Sequence, residues 1–454
     1  MSHVSSVSAP TAPDTNPGAG TAPPGWRWAP AWVVAFVALW PVPGIAEAVM
    51  VLGAVAAIIL LLRARSRPGA ALLSPQAWAL TSVLFFAYWL PEAIGALDAL
   101  DGRRALREAA VDLRYLPFLW LAAASVGDAR GRRVVFGGIG VVALIWTVDA
   151  LVQSVTGISP LFTGIDAAKL AISGHRLCNA HEYALLDRLG GVLGPCNLKL
   201  GVVLATLAPF ALFAAASRLG RAGWLATAAA VGAVVLLAGS RASWITFGLV
   251  LLLSGWRLLG WKRLLVVFAF GLLSLAVLAV TGPQVGERIE RTARALAGDE
   301  GSVNSALSGR TRIWGAALCM AREHPVNGVG PRGFRKAFAG CDPTPDVHPE
   351  WGIGPALHAH QLVLEVLSET GIVGLLLWLA GAALAWRAWR YASVAAREAA
   401  RPAMLALAVT VFPFNTHLAF YSTFWGGVTL LLAALYAGSL YGRTAPPAAG
   451  PAGT

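Results

Sequence analysis

Apolar runs separated by short polar stretches make up most of this chain, and many of the runs are close to the length of a bilayer's hydrocarbon core. That core takes roughly 20 helical residues to cross. Twelve stretches approach this length: 27–43, 44–62, 77–97, 112–127, 134–155, 197–217, 223–239, 242–256, 264–282, 361–384, 402–418 and 423–441. The pattern predicts helices, because in lipid a lone helix satisfies its own backbone hydrogen bonds. The expected fold class is an all-α integral membrane protein of about twelve transmembrane helices, with its membrane domain over 26–442. Residues 1–25 have neither a basic n-region nor a short apolar core, so they read as a disordered tail and not as a signal peptide. The stretch 443–454, RTAPPAAGPAGT, reads the same way.

Basic residues collect in cytoplasmic loops, and they orient the chain. Arg63, Arg65 and Arg67 follow the second stretch, Arg130, Arg132 and Arg133 the fourth, and Arg218 and Arg221 the sixth. Arg257, Lys262 and Arg263 follow the eighth, and Arg387, Arg390, Arg397 and Arg401 the tenth. Every even-numbered span then ends inside, both termini are cytoplasmic, and two long segments, 156–196 and 283–360, lie outside. All four cysteines, Cys178, Cys196, Cys319 and Cys341, fall in those segments, as expected of disulfides in an oxidising compartment. Of the three connectivities, Cys178 with Cys196 and Cys319 with Cys341 closes the shortest loops.

Composition narrows the partners. With 57% hydrophobic and 13% charged residues the chain does not read as soluble domains. Its net charge of +12 suits anionic lipid, and nucleic acid is a poor partner for so apolar a sequence. The expected external face carries Arg103, Arg104, Arg107, Arg114, Arg176, Arg188, Lys199, Arg241, Arg288, Arg291, Arg294, Arg310, Arg312, Arg332 and Arg335, which the loop-charge rule does not require. Salt bridges with Asp98, Asp101, Glu108 and Asp112 account for many of them. Arg241 stands apart, since the turn GSRASW holds it at the membrane boundary with no acidic neighbour in sequence. Arginines at that depth usually answer an anion, and the guanidinium fork matches phosphate oxygens; a lipid-linked phosphate would reach them. Glu92 and Asp149, acids within spans, read as capping or packing groups.

Metal and nucleotide chemistry find no motif: DxD, HExxH, zinc-spaced cysteine pairs and GxxxxGK[ST] are absent, and His358 and His360 have no third ligand nearby in sequence. No cofactor and no metal site are expected. Histidine and arginine are left to carry the reaction.

The stretch SGRTRIWGAALCMAREHPVNGVGPRGF (308–334), followed by HAHQLVLEVLSETGIVG (358–374), resembles the core of the O-antigen ligase and polymerase superfamily, whose pattern runs S-G-R, then W, then H-P and G-x-G. The second piece matches the ligase signature H-[NSQ]-x9-G-x-x-[GTY] at His360, Gln361, Gly371 and Gly374. LAGSRASW (237–244) is similar to the superfamily's serine-arginine turn, and the likeness spans roughly 197–382. The resemblance implies a metal-independent, GT-C-like glycosyltransferase with a helical periplasmic cap, His360 as catalytic base, and Arg241 and Arg310 on the donor pyrophosphate. Arg312 and His358 stand beside the matched positions, and Arg104, Arg107 and Lys199 belong to the external basic set; these are further candidates for substrate binding.

The implied reaction moves a polysaccharide from undecaprenyl pyrophosphate to a sugar hydroxyl of the lipid A core, at the periplasmic face of the inner membrane. A neutral imidazole with an ordinary pKa near ~6.5 can take the hydroxyl proton, and preplaced arginines can stabilise the departing pyrophosphate. A single displacement with no protein nucleophile inverts the anomeric carbon. An O-antigen polymerase or a protein O-oligosaccharyltransferase shares the core and differs in acceptor; the His-Gln signature favours the ligase. A lipid-glycan flippase or transporter is the reading from another class, and the repeated halves common in transporters are not visible here.

Overall fold

The computed structural model describes residues 26–65, 72–178, 189–281, 309–349, 354–415 and 419–442, with the single residues 286, 290, 307 and 351. Among the described residues the regular elements are helical. They are α1 (Ala29–Ala38), α2 (Pro43–Arg65), α3 (Pro75–Gly95), α4 (Gly102–Asp112), α5 (Tyr115–Ser125), α6 (Ala129–Thr156), α7 (Pro160–Ser173) and α8 (Leu200–Leu237). There follow α9 (Arg241–Leu259), α10 (Trp261–Thr281), α11 (Arg310–Glu323), α12 (Phe334–Cys341), α13 (Leu362–Tyr391), α14 (Val394–Thr410) and α15 (Thr423–Leu440).

Local chemistry sets many of the ends. Ser74, Asp128, Ser159, Ser393 and Ser422 each accept a main-chain N–H from the first turn they precede, which satisfies one of the donors a helix start leaves over. Asp149, expected to cap or pack, accepts from Ser159 Oγ at 2.6 Å and from the Leu161 N–H at 2.8 Å, at the start of α7. Glu92 is buried, and its Oε2 has no hydrogen-bond partner among the described residues.

Among the described residues eight helices, α2, α3, α6, α8, α9, α10, α13 and α15, are long and apolar enough to cross a membrane. This differs from the twelve stretches read from hydropathy for two reasons. First, α1 has 10 residues and α5 has 11, about 15–17 Å of helix, roughly half a hydrocarbon core. α14, with 17, is also short. Second, 197–217 and 223–239 fall in one helical run, α8, which is broken at Gly220 (φ 59°, ψ −141°). A straight helix of that length would extend about 57 Å, yet a Cβ on Gly201 would lie 3.0 Å from Ala238 Cβ. The two limbs therefore lie side by side and antiparallel.

The helices sort by burial. α15 runs through the centre, with every residue from Trp425 to Leu440 buried. α10 buries only Leu264 among its residues and turns Val266, Phe270 and Leu272 outward, the surface of a helix whose solvent is lipid. α11 and α12 form a small cap with its own core of Ile313, Met320, Phe334 and Phe338, against which Trp351 packs. The cap is closed by Cys319–Cys341, Cα atoms 5.6 Å apart, and Cys178 is joined to Cys196 with Cα atoms at 5.5 Å.

The cap is sewn into a gap in α13. At Gly371 (φ 63°, ψ −163°) the helix is interrupted, which frees carbonyls and amides on either side. The loop 325–330 takes them up: Val329 and Gly330 donate to the carbonyls of Ser368 and Glu369, while Ile372 and Val373 donate to those of Pro325 and Val326, at 2.9–3.1 Å. Buried main-chain groups are thus paired. A side chain at Gly371 would run into the backbone of Val326 and Asn327, and one at Gly328 into that of Glu369.

Candidate active site

His360 sits just ahead of α13, where the chain leaves the cap. The next residue, Gln361, caps the helix: its Oε1 accepts from the Leu364 N–H at 2.5 Å, and its Nε2 donates to Pro413 O at 2.9 Å. The Leu362 N–H donates to Asn415 O, so this start is tied to the end of α14 from two sides. His360 itself is half-buried with a positive φ of 53°, a conformation uncommon for residues with a Cβ. Its Nδ1 is buried without a hydrogen-bond partner among the described residues. Burial pushes the imidazole down to about 4, and the positive charges of Arg310 and Lys199 add to that shift. The ring is neutral at physiological pH, as a general base must be before it acts.

The cations come from three elements. Arg310 opens α11, directly after Gly309 in the left-handed region (φ 75°). Lys199 precedes α8 and lies with its Nζ 5.6 Å from the centre of the Phe424 ring. Arg241 opens α9 after the turn at Gly239 (φ 67°). Gly201, in the first turn of α8, approaches Ser243 Oγ and Ala238, so the Arg241 turn and Lys199 share one end of the bundle. Thr206 of α8 meets Thr410 of α14, which places that end beside the segment holding Gln361. Arg310 and Lys199 act on the His360 ring as positive charges, and Arg241 opens a helix at the same end of the bundle.

Other candidates are placed elsewhere or serve differently. Arg312 is used inside the cap: Nε and Nη2 donate to Asp342 at 2.7 and 2.6 Å, Nη1 donates to Val347 O at 2.8 Å, and the guanidinium lies over Trp351. A buried fork so fully engaged holds the cap together and does not reach for substrate. Arg104 is exposed, 3.9 Å from Glu108, and Arg107 is exposed on the same helix, α4. His358 lies against His360 with ring centres 3.8 Å apart and planes tilted by 45°, and its Nδ1 accepts the His360 N–H at 3.2 Å. Arg188, Arg288, Arg291 and Arg294 lie outside the described residues.

The acids named in the sequence were not the ones that matter most here. Glu365 and Glu369 also lie within 361–384, four residues apart, and both are 2% exposed. Ionisable groups inside an apolar run are costly and usually functional, a signal that was available from the sequence. Glu369 Oε2 accepts the Arg332 N–H at 2.8 Å. Arg332 ties four elements together, since its side chain also reaches Tyr421 O, Thr423 Oγ1 and Glu108. Close by, Arg335 has a buried Nε with no hydrogen-bond partner among the described residues. Burial pulls its pKa down, and so do the positive charges of Arg104 and Arg332.

For a metal, Cys319, Glu323 and Cys341 converge within ligand distance, but both sulfurs are held in the disulfide and neither is a thiolate. With this geometry in hand, comparison with known proteins shows that residues 225–379 fit the family model described as O-antigen ligase. That stretch takes in Arg241, Arg310, His360 and the broken half of α13. No curated protein matches the chain.

Proposed function

We propose, from the match of residues 225–379 to the O-antigen ligase family model, that this chain is a glycosyltransferase of that superfamily and transfers a polysaccharide from undecaprenyl pyrophosphate to a sugar hydroxyl of the lipid A core. His360 is the general base, and Arg241 and Arg310 hold the diphosphate. The hydroxyl oxygen attacks the anomeric carbon, its proton passes to the imidazole, and the bond from that carbon to the diphosphate breaks with inversion. The charge left on the departing diphosphate is met by guanidinium groups already in place. Cap and disulfides belong to the periplasmic side of the inner membrane, with both termini in the cytoplasm.

The observation that carries this reading is a neutral, half-buried His360 faced by Arg310 and Lys199. Burial first, and those charges after it, make the imidazole a weak base. A bound diphosphate offsets them and raises the basicity of the ring, so the base gains strength when the donor arrives. A place for hydrocarbon lies alongside: α3, α13, α14 and α15 enclose an apolar cavity of about 210 Å³, lined by Trp378, Trp386, Met404, Phe420 and Leu430 among others. Phe420 connects it to the site, because its backbone N–H faces Glu365 in the first turn of α13.

The test is a transfer assay with the purified protein, lipid-linked glycan and rough lipopolysaccharide, run in the presence of EDTA. A new high-mass band on the lipopolysaccharide is the expected result. Growth of the lipid-linked chain alone would make the enzyme a polymerase, glycan on protein would make it an oligosaccharyltransferase, and transfer that needs added magnesium or manganese would remove the metal-independent mechanism.

A further inference from the structure

The backbone of His360 is held in a left-handed conformation (φ 53°) that a residue with a Cβ seldom adopts. What holds it is a second histidine. The His360 N–H donates to His358 Nδ1 at 3.2 Å, and the two rings lie against each other with centres 3.8 Å apart and planes tilted by 45°. Because that nitrogen accepts a main-chain N–H it carries no proton, which puts the His358 ring proton on Nε2. Glu365 Oε2 lies 3.6 Å from the same Nδ1, too far for a hydrogen bond, so the carboxyl backs the ring by filling the space behind it. This oxygen makes no hydrogen bond among the described residues, while the amides of Tyr421 and Phe420 steady the carboxyl. Glu365 is placed in turn by the capped start of α13, where its N–H donates to Gln361 O at 2.9 Å.

Resting on the reading of His360 as the base, we propose that Glu365 and His358 are positioning residues for it: Glu365 backs the His358 ring, and His358 Nδ1 holds the turn that aims His360 at the acceptor hydroxyl. Neither touches substrate in this arrangement. They act on how often the base is correctly aimed, so they govern kcat and leave donor binding alone. A reacting group misplaced by about 1 Å can lose on the order of 100-fold in rate, which sets the scale of the effect.

The experiment compares His360→Ala, His358→Ala, His358→Asn, Glu365→Ala and the His358→Ala/Glu365→Ala pair in the purified transfer assay, with thermal unfolding in detergent as the check on folding. Expected are a kcat lowered about 10- to 100-fold in His358→Ala and Glu365→Ala, a donor KM within about twofold of the parent, and a double variant no slower than His358→Ala, because the two residues act in series. His358→Asn should recover most of the loss, since the asparagine Oδ1 takes the place of Nδ1 and accepts the same N–H. Parental kcat in His358→Ala and Glu365→Ala with His360→Ala inactive would overturn the positioning roles and leave the base standing. An active His360→Ala would overturn the base and with it this proposal. A His358→Asn as slow as His358→Ala would show that the acceptor at Nδ1 is not what matters.

Discussion

A neutral imidazole and fixed guanidinium groups are useful together only if each keeps its own geometry. Lysine would preserve the charge of Arg241 or Arg310 while losing the planar pair of donors that matches two phosphate oxygens. Arg241→Lys and Arg310→Lys are therefore expected to lose at least about tenfold in kcat/KM for the lipid-linked donor, equivalent to about 1.4 kcal/mol, read by initial rates over a donor titration. Near-parental rates in both would mean that charge alone suffices. The titration of His360 adds a second test. With its pKa depressed to about 4, kcat/KM should stay flat from neutrality down to about pH 5 and fall below it, and the acid limb of kcat should lie at higher pH, because the bound diphosphate restores basicity. The sign for stability follows from the same shift. Between the ordinary value near ~6.5 and 4 the unfolded state binds a proton that the folded one does not, so this residue's contribution to stability falls as the pH is lowered through that window. His360→Asn should flatten that part of the profile.

At the level of elements, the breaks in helices do more than the helices. Gly371 interrupts α13 and opens main-chain groups to which the 325–330 loop bonds, and this is what brings the cap that carries Arg310 to the helix that follows His360. An alanine there meets a positive φ and the backbone of Val326 and Asn327. Gly371→Ala is expected to cost more than about 2 kcal/mol, seen as a lowered midpoint of unfolding and loss of transfer. Gly271, inside α10 with nothing within 4 Å of its would-be Cβ, is the control. Gly271→Ala should leave the midpoint unchanged or raise it, as alanine favours helix by roughly 0.5–1 kcal/mol over glycine. Equal effects at both positions would show that the seam contributes nothing special.

Across the whole molecule, orientation decides whether the chemistry faces the right compartment. In intact cells an impermeant maleimide should label nothing until a reductant is added, and should then label Cys178, Cys196, Cys319 and Cys341. Labelling only after the inner membrane is permeabilised would turn the molecule over and remove the proposed reaction. The cap's own integrity is a second matter at this scale. Cys319 and Cys341 are 22 residues apart in sequence, and closing a loop of that length is worth about 3 kcal/mol in the chain-entropy account. Replacing both by serine should loosen the cap that presents Arg310 and lower turnover more than it lowers expression, measured as rate per mole of purified protein.

Much of this protein is written along the chain because lipid imposes a one-dimensional code. An apolar run has to be a helix in a bilayer, whatever its neighbours, so α2, α3, α6, α9, α10, α13 and α15 were legible from hydropathy, as were the spacing of His360, Gln361, Gly371 and Gly374 and the short-range cysteine pairs. The fold-back of α8 at Gly220 was legible too, as the break between 197–217 and 223–239; what hydropathy cannot register is where a helix stops short, and so the short α1 and α5 needed three dimensions. The partners of polar groups belong to the same class. Arg312 and Arg332 look alike in sequence, yet one is locked to Asp342, 30 residues away, and the other to Thr423, 91 residues away. Pairing of buried charges is set by packing between segments, and only the tertiary structure could assign Arg332 to Glu108 and to Glu369.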